Sequence, residues 1–390
     1  MDHQFLNEAQ KMREKLVLWR RDLHRIPETG LCLPQTSSYI KARLEDMGIE
    51  CSVSRKYSHV TAVLGEGERC FLLRSDMDAL PLREESGLDF ASENGCMHAC
   101  GHDLHTAMLL GAAAILKAHE SELSGRVKLL FQSGEEIFEG AASAIDEGVL
   151  TNPEVDAAFG MHVASTAPVG YIPYGYDPLS SAYTFRIVVK GKGTHASTPQ
   201  DGISPINGAV HIYLALQELI SRETAASQEA VLTIGKLWAG QASNVIPEQA
   251  VMEGTLRTFD PRQNEYLIRR IEEVSVGIAH AYRCKAVVTT KSSCPAMIND
   301  RELTDEITSY INELGGFKVR PIFHTMGAED FAFFADRVRC CYLAIGAMYG
   351  NGYPVYTQHS PKVRFNEDAI PKGAAVYAAA AARWLEDHKK

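Results

Sequence analysis

The sequence lacks a long apolar run, an excess of basic residues and any internal repeat. No stretch of about 18 apolar residues occurs in the chain, so we expect no membrane span. The net charge of −10 argues against a nucleic-acid-binding protein, because such proteins usually carry a basic patch or stripe. Residues 1–30 are charged throughout and contain no apolar core of a signal peptide, so secretion is not expected.

Cysteine is present, but not in the pattern of a disulfide framework. The nine cysteines are scattered and odd in number, which favours reduced thiols and a cytoplasmic protein. Cys340 and Cys341 are adjacent in an apolar run, so we predict that they are small core residues of a strand. The 390 residues are 45% hydrophobic and 23% charged, which is typical of a globular chain, and this length favours two domains.

Apolar runs alternate with helical stretches before residue 180 and again near the end of the chain. The runs HVTAVLG, CFLLRSD, RVKLLFQSG and VDAAFGMHV are predicted strands, and residues 102–120 are a predicted long helix. Residues 4–24 are predicted to form one amphipathic helix whose apolar residues include Leu16 and Leu18. This alternation predicts an α/β fold with a mostly parallel sheet covered by helices, in which ligands bind where strands end.

The pattern changes between residues 180 and 293. The predicted order there is strand, helix, strand, strand, helix, strand, which is typical of a ferredoxin-like α+β domain. The first of these strands alternates, and four of its apolar side chains are predicted to share one face: Tyr183, Phe185, Ile187 and Val189. We therefore predict one domain formed by residues 1–179 and 294–390, with residues 180–293 inserted as a second domain.

Side chains of the kinds that bind metals follow several predicted strands. Four places carry them: Cys100 and His102, Glu135 and Glu136, His162, and His359. Cys100 and His102 are two residues apart, so both can point to one side of an extended segment. Thiolate, imidazole and carboxylate together suit zinc, or with less preference manganese, cobalt or nickel. Magnesium and calcium prefer shells made only of oxygen and fit badly.

Each of these signals has a plainer interpretation. A single histidine such as His162 is more often a hydrogen-bonded structural residue, and adjacent glutamates are usually solvated. Asp78, in SDMDALP, either hydrogen-bonds a ligand imidazole or caps a turn before Pro81. Cys100 with a nearby histidine could also be the nucleophile of a thiol amidase. That last interpretation leaves the glutamate pair unexplained.

Seven segments together resemble a known family. They are RSDMDALPL, HACGHDLHTAMLLGAA, SGEEIFEGAASAI, MHV, GKGTHASTP, MGAEDFAFF and HSPK, in the order typical of that family, and the resemblance runs from about Leu23 to about Pro361. The family is the M20 metallopeptidases, and the sequence is most similar to their amidohydrolase branch, subfamily D. That branch includes aminoacylases, hippurate hydrolases, auxin-conjugate hydrolases and N-acetyl-diaminopimelate deacetylases.

The resemblance implies a zinc-exopeptidase-like catalytic domain that binds two divalent metal ions, zinc or manganese, with cobalt or nickel as alternatives. Five residues fall on the positions that hold these metals: Cys100, His102, Glu136, His162 and His359. Glu135 falls on the general base, and Asp78 matches an aspartate that lies behind a histidine ligand. Asp76 stands where other branches have a ligand, but this branch uses Cys100 instead, so Asp76 is left outside the metal shell. His105 is predicted to be structural.

The resemblance also implies that the inserted segment is a lid and forms a homodimer, with a tetramer as a further step. His195 matches the lid histidine that reaches the active site of the partner subunit and stabilises the oxyanion. Asn244 and Arg257 match lid residues that contact the substrate. For Arg257 the plainer interpretation is an exposed charge on a strand.

The sequence departs from the branch at three places. It reads QSGEE where the branch has QPAEE, has Gln200 after Pro199 where the branch has histidine, and has Ser204 in GISPI where the branch has aspartate. These changes affect the expected acyl pocket more than the expected chemistry.

The implied function is hydrolysis of small N-acyl amino acids. The alternatives are a dipeptidase or exopeptidase with the same metals, a thiol amidase, and a non-catalytic metal-binding protein.

Overall fold

The computed structural model describes residues 2–350 and 352–389. Ten α-helices lie in these residues: α1 (Asp2–Lys11), α2 (Arg13–His24), α3 (Pro34–Asp46), α4 (His102–Ala118), α5 (Gly140–Asp146), α6 (Pro205–Ser221), α7 (Pro261–Ala281), α8 (Arg301–Leu314), α9 (Ala332–Ala335) and α10 (Ala369–Asp387). Fourteen strands accompany them: β1 (Cys51–Val53), β2 (Val60–Leu64), β3 (Cys70–Asp76), β4 (Arg126–Gln132), β5 (Ala157–Ala164), β6 (Tyr171–Pro173), β7 (Ala182–Lys190), β8 (Thr194–His195), β9 (Ala230–Ala239), β10 (Val245–Ile246), β11 (Gln249–Thr258), β12 (Lys285–Cys294), β13 (Lys318–Arg320) and β14 (Arg339–Gly346). No described helix is both long enough and apolar enough to cross a membrane.

The chain folds into two compact units. The first comprises the residues up to Pro178, Ile298–His324, and the residues from Asp330 onwards. The second comprises Leu179–Met297 and Thr325–Glu329. The segment predicted as an insertion, residues 180–293, lies within the second unit. Its role as a lid and dimerisation domain stays a prediction.

The first unit is built around a six-stranded sheet in the order β1-β2-β4-β3-β5-β14. The four strands from β4 to β14 are parallel, whereas β2 is antiparallel to β4 and β1 to β2. All of β3 is buried, as expected for a strand with both faces covered. The predicted α/β fold with a mostly parallel sheet is therefore confirmed, and Cys340 and Cys341 are buried in β14 as predicted.

The first twenty residues differ from the prediction of one continuous helix. The structure has two helices, α1 and α2, with a turn at Met12 between them. The turn lets α1 pack against α10 while α2 packs against α4. Phe5 and Leu16 are both buried in this way, but Leu18 is 55% exposed and does not belong to the apolar face. Periodicity alone does not reveal such a change of direction, because it describes only one helix axis.

The second unit contains a four-stranded antiparallel sheet in the order β12-β7-β11-β9. Helices α6 and α7 pack against each other and against this sheet. The side chains of Tyr183, Phe185, Ile187 and Val189 are all buried in its core, as their alternation predicted. A short ribbon of β8 and β10 pairs His195 with Val245 beside this sheet.

A buried ionic cluster joins the end of α2 to the first turn of α4. His24 donates from Nδ1 to Asp103 Oδ2 at 2.8 Å, and its Nε2 lies 3.1 Å from both carboxylate oxygens of Glu84. Arg20 Nε lies 2.7 Å from the same Asp103 oxygen. Burial and Arg20 both lower the pKa of His24, but the two carboxylates outweigh them, so the pKa lies above its ordinary value. Asp103 directly follows His102 and is held in place by this cluster.

We predict that substitution His24→Gln destabilises the protein more in mildly acidic than in alkaline solution. The charge of His24 stabilises the fold below its ordinary pKa of 6.5, and this contribution is lost as the pH rises through the higher folded-state pKa. The loss in the free energy of unfolding should be about 3 kcal/mol near pH 6, because two buried carboxylates lose a partner. Denaturant unfolding in mildly acidic and in alkaline solution measures this loss. The exposed His280→Gln is the matched control, and a loss that does not shrink as the pH rises would contradict the assignment.

Candidate metal centre

The candidate ligands lie at the carboxyl ends of adjacent parallel strands. Strand β3 ends at Asp76, β4 is followed by Glu135 and Glu136, and β5 contains His162 near its end. The first turn of α4 faces the same edge of the sheet, where ligands of open α/β sheets bind. Gly101 caps α4 in the left-handed conformation with φ 96°, and an added Cβ would lie 2.5 Å from a Val163 methyl group. Only glycine therefore fits here.

The first group of candidate ligands consists of Cys100, His102 and His162, whose ligand atoms all lie within 4.8 Å of one another. Cys100 Sγ is 3.2 Å from His162 Nε2. His162 donates from Nδ1 to the main-chain oxygen of Val163 at 2.7 Å. His102 donates from Nδ1 to the main-chain oxygen of Asp78 at 2.8 Å. In the neutral form of each ring these bonds place the proton on Nδ1, which leaves the lone pair of Nε2 available to a metal.

The second group consists of Cys100, Glu136 and His359, which lie within the same distance limit. His359 Nε2 is 3.5 Å from Glu136 Oε1. The main-chain N–H of His359 donates to Ala99 O at 3.0 Å, which brings this distant loop to the segment that carries Cys100. The structure therefore brings all five predicted ligands together in two groups, and Cys100 belongs to both.

Two orphaned polar atoms show that this cluster fits a metal ion. His102 Nε2 and Glu136 Oε1 are buried and have no hydrogen-bond partner. Such atoms are costly to bury unless something binds them, and a divalent cation accepts lone pairs from both. The donor set of sulfur, nitrogen and oxygen suits zinc and other first-row metals, which agrees with the prediction from the residue types.

Burial is the largest cause of the pKa shifts of three candidate ligands in the cluster. Burial and the Glu136 carboxylate raise the pKa of Cys100 well above its ordinary value. Burial, Asp78 and Asp76 raise the pKa of Glu136 to about 7, although His102 opposes them. Burial and the neighbouring His105 lower the pKa of His162 to about 3. A bound cation would favour the deprotonated form of all these ligands.

Asp78 connects the two carboxylate ligand positions to His102. Its carboxylate accepts the main-chain N–H groups of Glu135 and Glu136, each at 3.1 Å. The sequence left open whether the Asp78 side chain bonds a ligand imidazole or caps a turn. In the structure His102 Nδ1 donates to the main-chain carbonyl of Asp78, and the Asp78 carboxylate lies 3.6 Å from the same nitrogen. One buried residue thus orients three side chains of the site.

Asp76 is engaged with other side chains on both of its oxygens. It accepts from Arg74 Nη1 at 2.8 Å and from His105 Nδ1 at 2.6 Å. His105 Nε2 in turn accepts the main-chain N–H of Val163 at 2.8 Å, so both of its ring nitrogens are used within the fold. Burial raises the pKa of Asp76, but His102, His105 and Arg74 outweigh it and hold the pKa well below its usual range. These contacts support leaving Asp76 and His105 outside the metal shell.

Sequence reasoning missed the charged pair behind this site. Arg74 Nη2 donates to Asp330 Oδ1 at 2.8 Å, and Gln132 Nε2 donates to both oxygens of Asp330 at 2.8 Å. Arg74 is almost completely buried in the middle of β3. Its position within the apolar run CFLLRSD was the available signal, because a buried arginine needs carboxylate partners.

The three predicted lid residues lie in the second unit. His195 and Asn244 are neighbours there, because the main-chain N–H of Ala196 donates to Asn244 O at 3.0 Å. Arg257 lies on β11 and is partly buried. Burial lowers its pKa, and the structure pairs no described carboxylate with it. The ligand, base and lid roles predicted for individual residues stay predictions.

Residues 72–383 match the family described as Peptidase family M20/M25/M40. The chain belongs to this family. IAA-amino acid hydrolase ILR1-like 2 of Arabidopsis thaliana is 38% identical over 386 residues, which cover 95% of this chain and 85% of that protein. N-acetyl-L-cysteine deacetylase of Bacillus subtilis (strain 168) is 35% identical over 383 residues, which cover 97% and 90%.

One similar crystal structure is that of the Bacillus subtilis YXEP protein, described as a dinuclear metal binding peptidase from the M20 family. Its TM-score is 0.84 at 33% identity, and the match covers 97% of this chain and 99% of that one. The predicted family and fold are thus confirmed, and the chain is a metal-dependent hydrolase of amide bonds. The predicted function, hydrolysis of N-acyl amino acids, agrees with the names of the two relatives.

We predict that Asp78→Ala weakens metal binding. Without the carboxylate, the main-chain N–H groups of Glu135 and Glu136 lose their acceptor and the two side chains lose their common orientation. Loss of such a supporting residue should lower zinc affinity about 10- to 100-fold. Competition with a chromophoric chelator measures the affinity, and circular dichroism checks that the variant is folded. Glu85→Ala, an exposed acid of the same loop, is the control. Unchanged zinc affinity in folded Asp78→Ala would refute this role.

Proposed function

We propose that the protein hydrolyses small N-acyl-L-amino acids to a carboxylate and an amino acid. The observation that carries the proposal is the convergence of two ligand groups on Cys100, with Glu135 beside them. The names of the two relatives support an amide bond to an amino acid as the bond that is cut. The nine free thiols support action in the reducing cytoplasm.

Five residues would hold two divalent metal ions: Cys100, His102, Glu136, His162 and His359. Zinc or manganese, with cobalt or nickel as alternatives, would supply the Lewis acidity that makes a water nucleophilic near neutral pH. The shared thiolate favours zinc, because soft ligands select it. Cys100 is a ligand and not a nucleophile in this proposal, since burial and Glu136 strongly disfavour a free thiolate.

Glu135 is the general base in this proposal. It is only 5% exposed, and one of its oxygens lies 3.9 Å from His102 Nε2, at the edge of the ligand cluster. Its main-chain N–H is anchored on Asp78. Glu135 takes the proton from the attacking water and passes it to the leaving amine, which requires a carboxylate next to the water but outside the ligand set.

Three residues of the second unit recognise the substrate in this proposal. His195 donates a hydrogen bond to the developing oxyanion in the site of the partner subunit. Arg257 binds the free carboxylate of the amino acid, which suits a partly buried guanidinium that pairs with no carboxylate among the described residues. Asn244 contacts the substrate from the loop next to His195.

An apolar stripe on the second unit supports a homodimer. Helix α6 exposes four large apolar side chains at helical spacing: Ile206, Val210, Tyr213 and Leu214. The helix packs beside β9, an edge strand of the sheet that exposes Val231, Leu237 and Trp238. An exposed apolar stripe next to an open strand edge is typical of a protein–protein interface. A second copy of the chain is the partner that His195 requires.

The first prediction of this proposal concerns metal removal. The purified protein should hydrolyse N-acetyl, benzoyl or indole-3-acetyl amino acids, lose this activity to a chelator, and regain it with zinc, manganese, cobalt or nickel. Mass spectrometry detects the products of hydrolysis, and metal analysis measures the metal content of the protein. Faster turnover of dipeptides than of every N-acyl amino acid would instead indicate an exopeptidase. Activity that survives verified metal removal but not a thiol alkylator would make Cys100 the nucleophile.

The second prediction concerns the shared active site. Glu135→Gln and His195→Ala should each lose at least about 100-fold in kcat while metal content stays unchanged, because a base or an oxyanion donor is missing. In mixed dimers one of the two sites combines the intact Glu135 with the intact His195, so part of the activity should return. Dimers of differently tagged chains isolate the mixed species. Mixed dimers without activity would contradict the action of His195 across the interface.

A further inference from the structure

Ser197 contacts the imidazole ring of His195 through its main-chain N–H and through its hydroxyl. The main-chain N–H of Ser197 donates to His195 Nδ1 at 3.1 Å. The hydroxyl oxygen of Ser197 lies 2.6 Å from the same ring nitrogen. Thr198 closes the turn by donating its main-chain N–H to His195 O at 3.0 Å. The segment HAST thus folds back on its own histidine.

These two contacts determine which ring nitrogen carries the proton. A main-chain N–H can only donate, so Nδ1 must offer its lone pair, and the ring proton of the neutral imidazole resides on Nε2. The Ser197 hydroxyl donates to the same nitrogen and strengthens this preference. His195 therefore presents an N–H at Nε2, which is the group that a developing oxyanion needs.

The Ser197 hydroxyl also restrains the ring of His195, which lies on an exposed two-residue strand. His195 is exposed, and its strand β8 is only two residues long. Pairing with Val245 restrains the main chain of His195 but not its ring torsion. The main-chain N–H of residue 197 is present whatever the side chain is, whereas the hydroxyl is specific to Ser197.

We propose that Ser197 is a positioning residue that holds His195 in the Nε2–H tautomer and aims this N–H at the substrate carbonyl. The inference rests on the proposed function, in which His195 acts on the substrate. Ser197 itself touches no reacting atom. Its effect passes through the orientation of the imidazole, so it should appear in kcat rather than in KM.

The test compares Ser197→Ala with Ser197→Thr and Thr198→Ala. The substrate is whichever of N-acetyl-L-cysteine, benzoylglycine and N-(indole-3-acetyl)-L-alanine the wild-type protein hydrolyses fastest. Loss of one hydrogen bond should lower kcat of Ser197→Ala about three- to tenfold, with KM unchanged. Ser197→Thr keeps the hydroxyl and should restore kcat. Thr198→Ala is the matched control, because its hydroxyl contacts the main-chain oxygen of His195 and not the ring.

Two further measurements separate positioning from a structural effect. In a His195→Gln background, Ser197→Ala should lower kcat no further, since its route of action is gone. In wild-type protein labelled with ¹⁵N-histidine, the His195 ring should show a protonated Nε2 and a bare Nδ1. In Ser197→Ala the main-chain N–H still donates to Nδ1 but the hydroxyl donor is gone, so the share of the Nδ1–H tautomer should rise. The His195→Gln spectrum assigns the signals.

The inference is overturned if Ser197→Ala keeps kcat within about twofold of wild type, which is less than one hydrogen bond supplies. It is also overturned if Ser197→Ala lowers kcat by the same factor in the His195→Gln background as in the wild-type background. An unchanged His195 ring spectrum in Ser197→Ala would overturn it as well. Should the wild-type protein hydrolyse none of the three substrates, the proposed function fails, while the tautomer measurement still decides whether Ser197 positions the ring.

Discussion

The candidate metal centre depends on the hydrogen bonds that the buried carboxylate of Asp78 accepts. A carboxylate with no access to water must find hydrogen-bond donors, and Asp78 finds them in the main-chain N–H groups of Glu135 and Glu136. Its own carbonyl accepts from His102. The loop after β4, the end of β3 and the start of α4 are therefore tied together through one residue, and the side chains they carry cannot shift independently.

A second layer of buried charge supports this arrangement. Asp76, Arg74 and Asp330 form a chain of hydrogen bonds behind the ligands, and His105 extends it to β5. Each member is costly to bury alone, because desolvation of an ion exceeds what one contact returns. Because they are paired, they form a buried hydrogen-bonded network directly behind the candidate ligands. The ionic cluster of His24, Glu84 and Asp103 does the same for the first turn of α4.

Much of the architecture could be predicted because it follows from local patterns. Buried parallel strands are continuous apolar runs, so β3, β4 and β5 were predicted within a few residues. The rule that ligands gather where such strands end then placed the candidate ligands at one edge. The turn at Met12 was missed, since it depends on where α4 and α10 lie and not on the residues that form it. Arg74 was missed because its partner Asp330 is distant in sequence.

The sequence by itself determined the kinds of donor atom and the order of elements, and hence the α/β class and the suitability for zinc-like metals. Only the tertiary structure decided that Cys100 belongs to both ligand groups, and that Asp78 supports His102 through its main chain. Only it revealed the bond between Ser197 and His195. The physical reason is that residue type sets what an atom can bind, whereas distances of a few ångströms between chain segments set what it does bind.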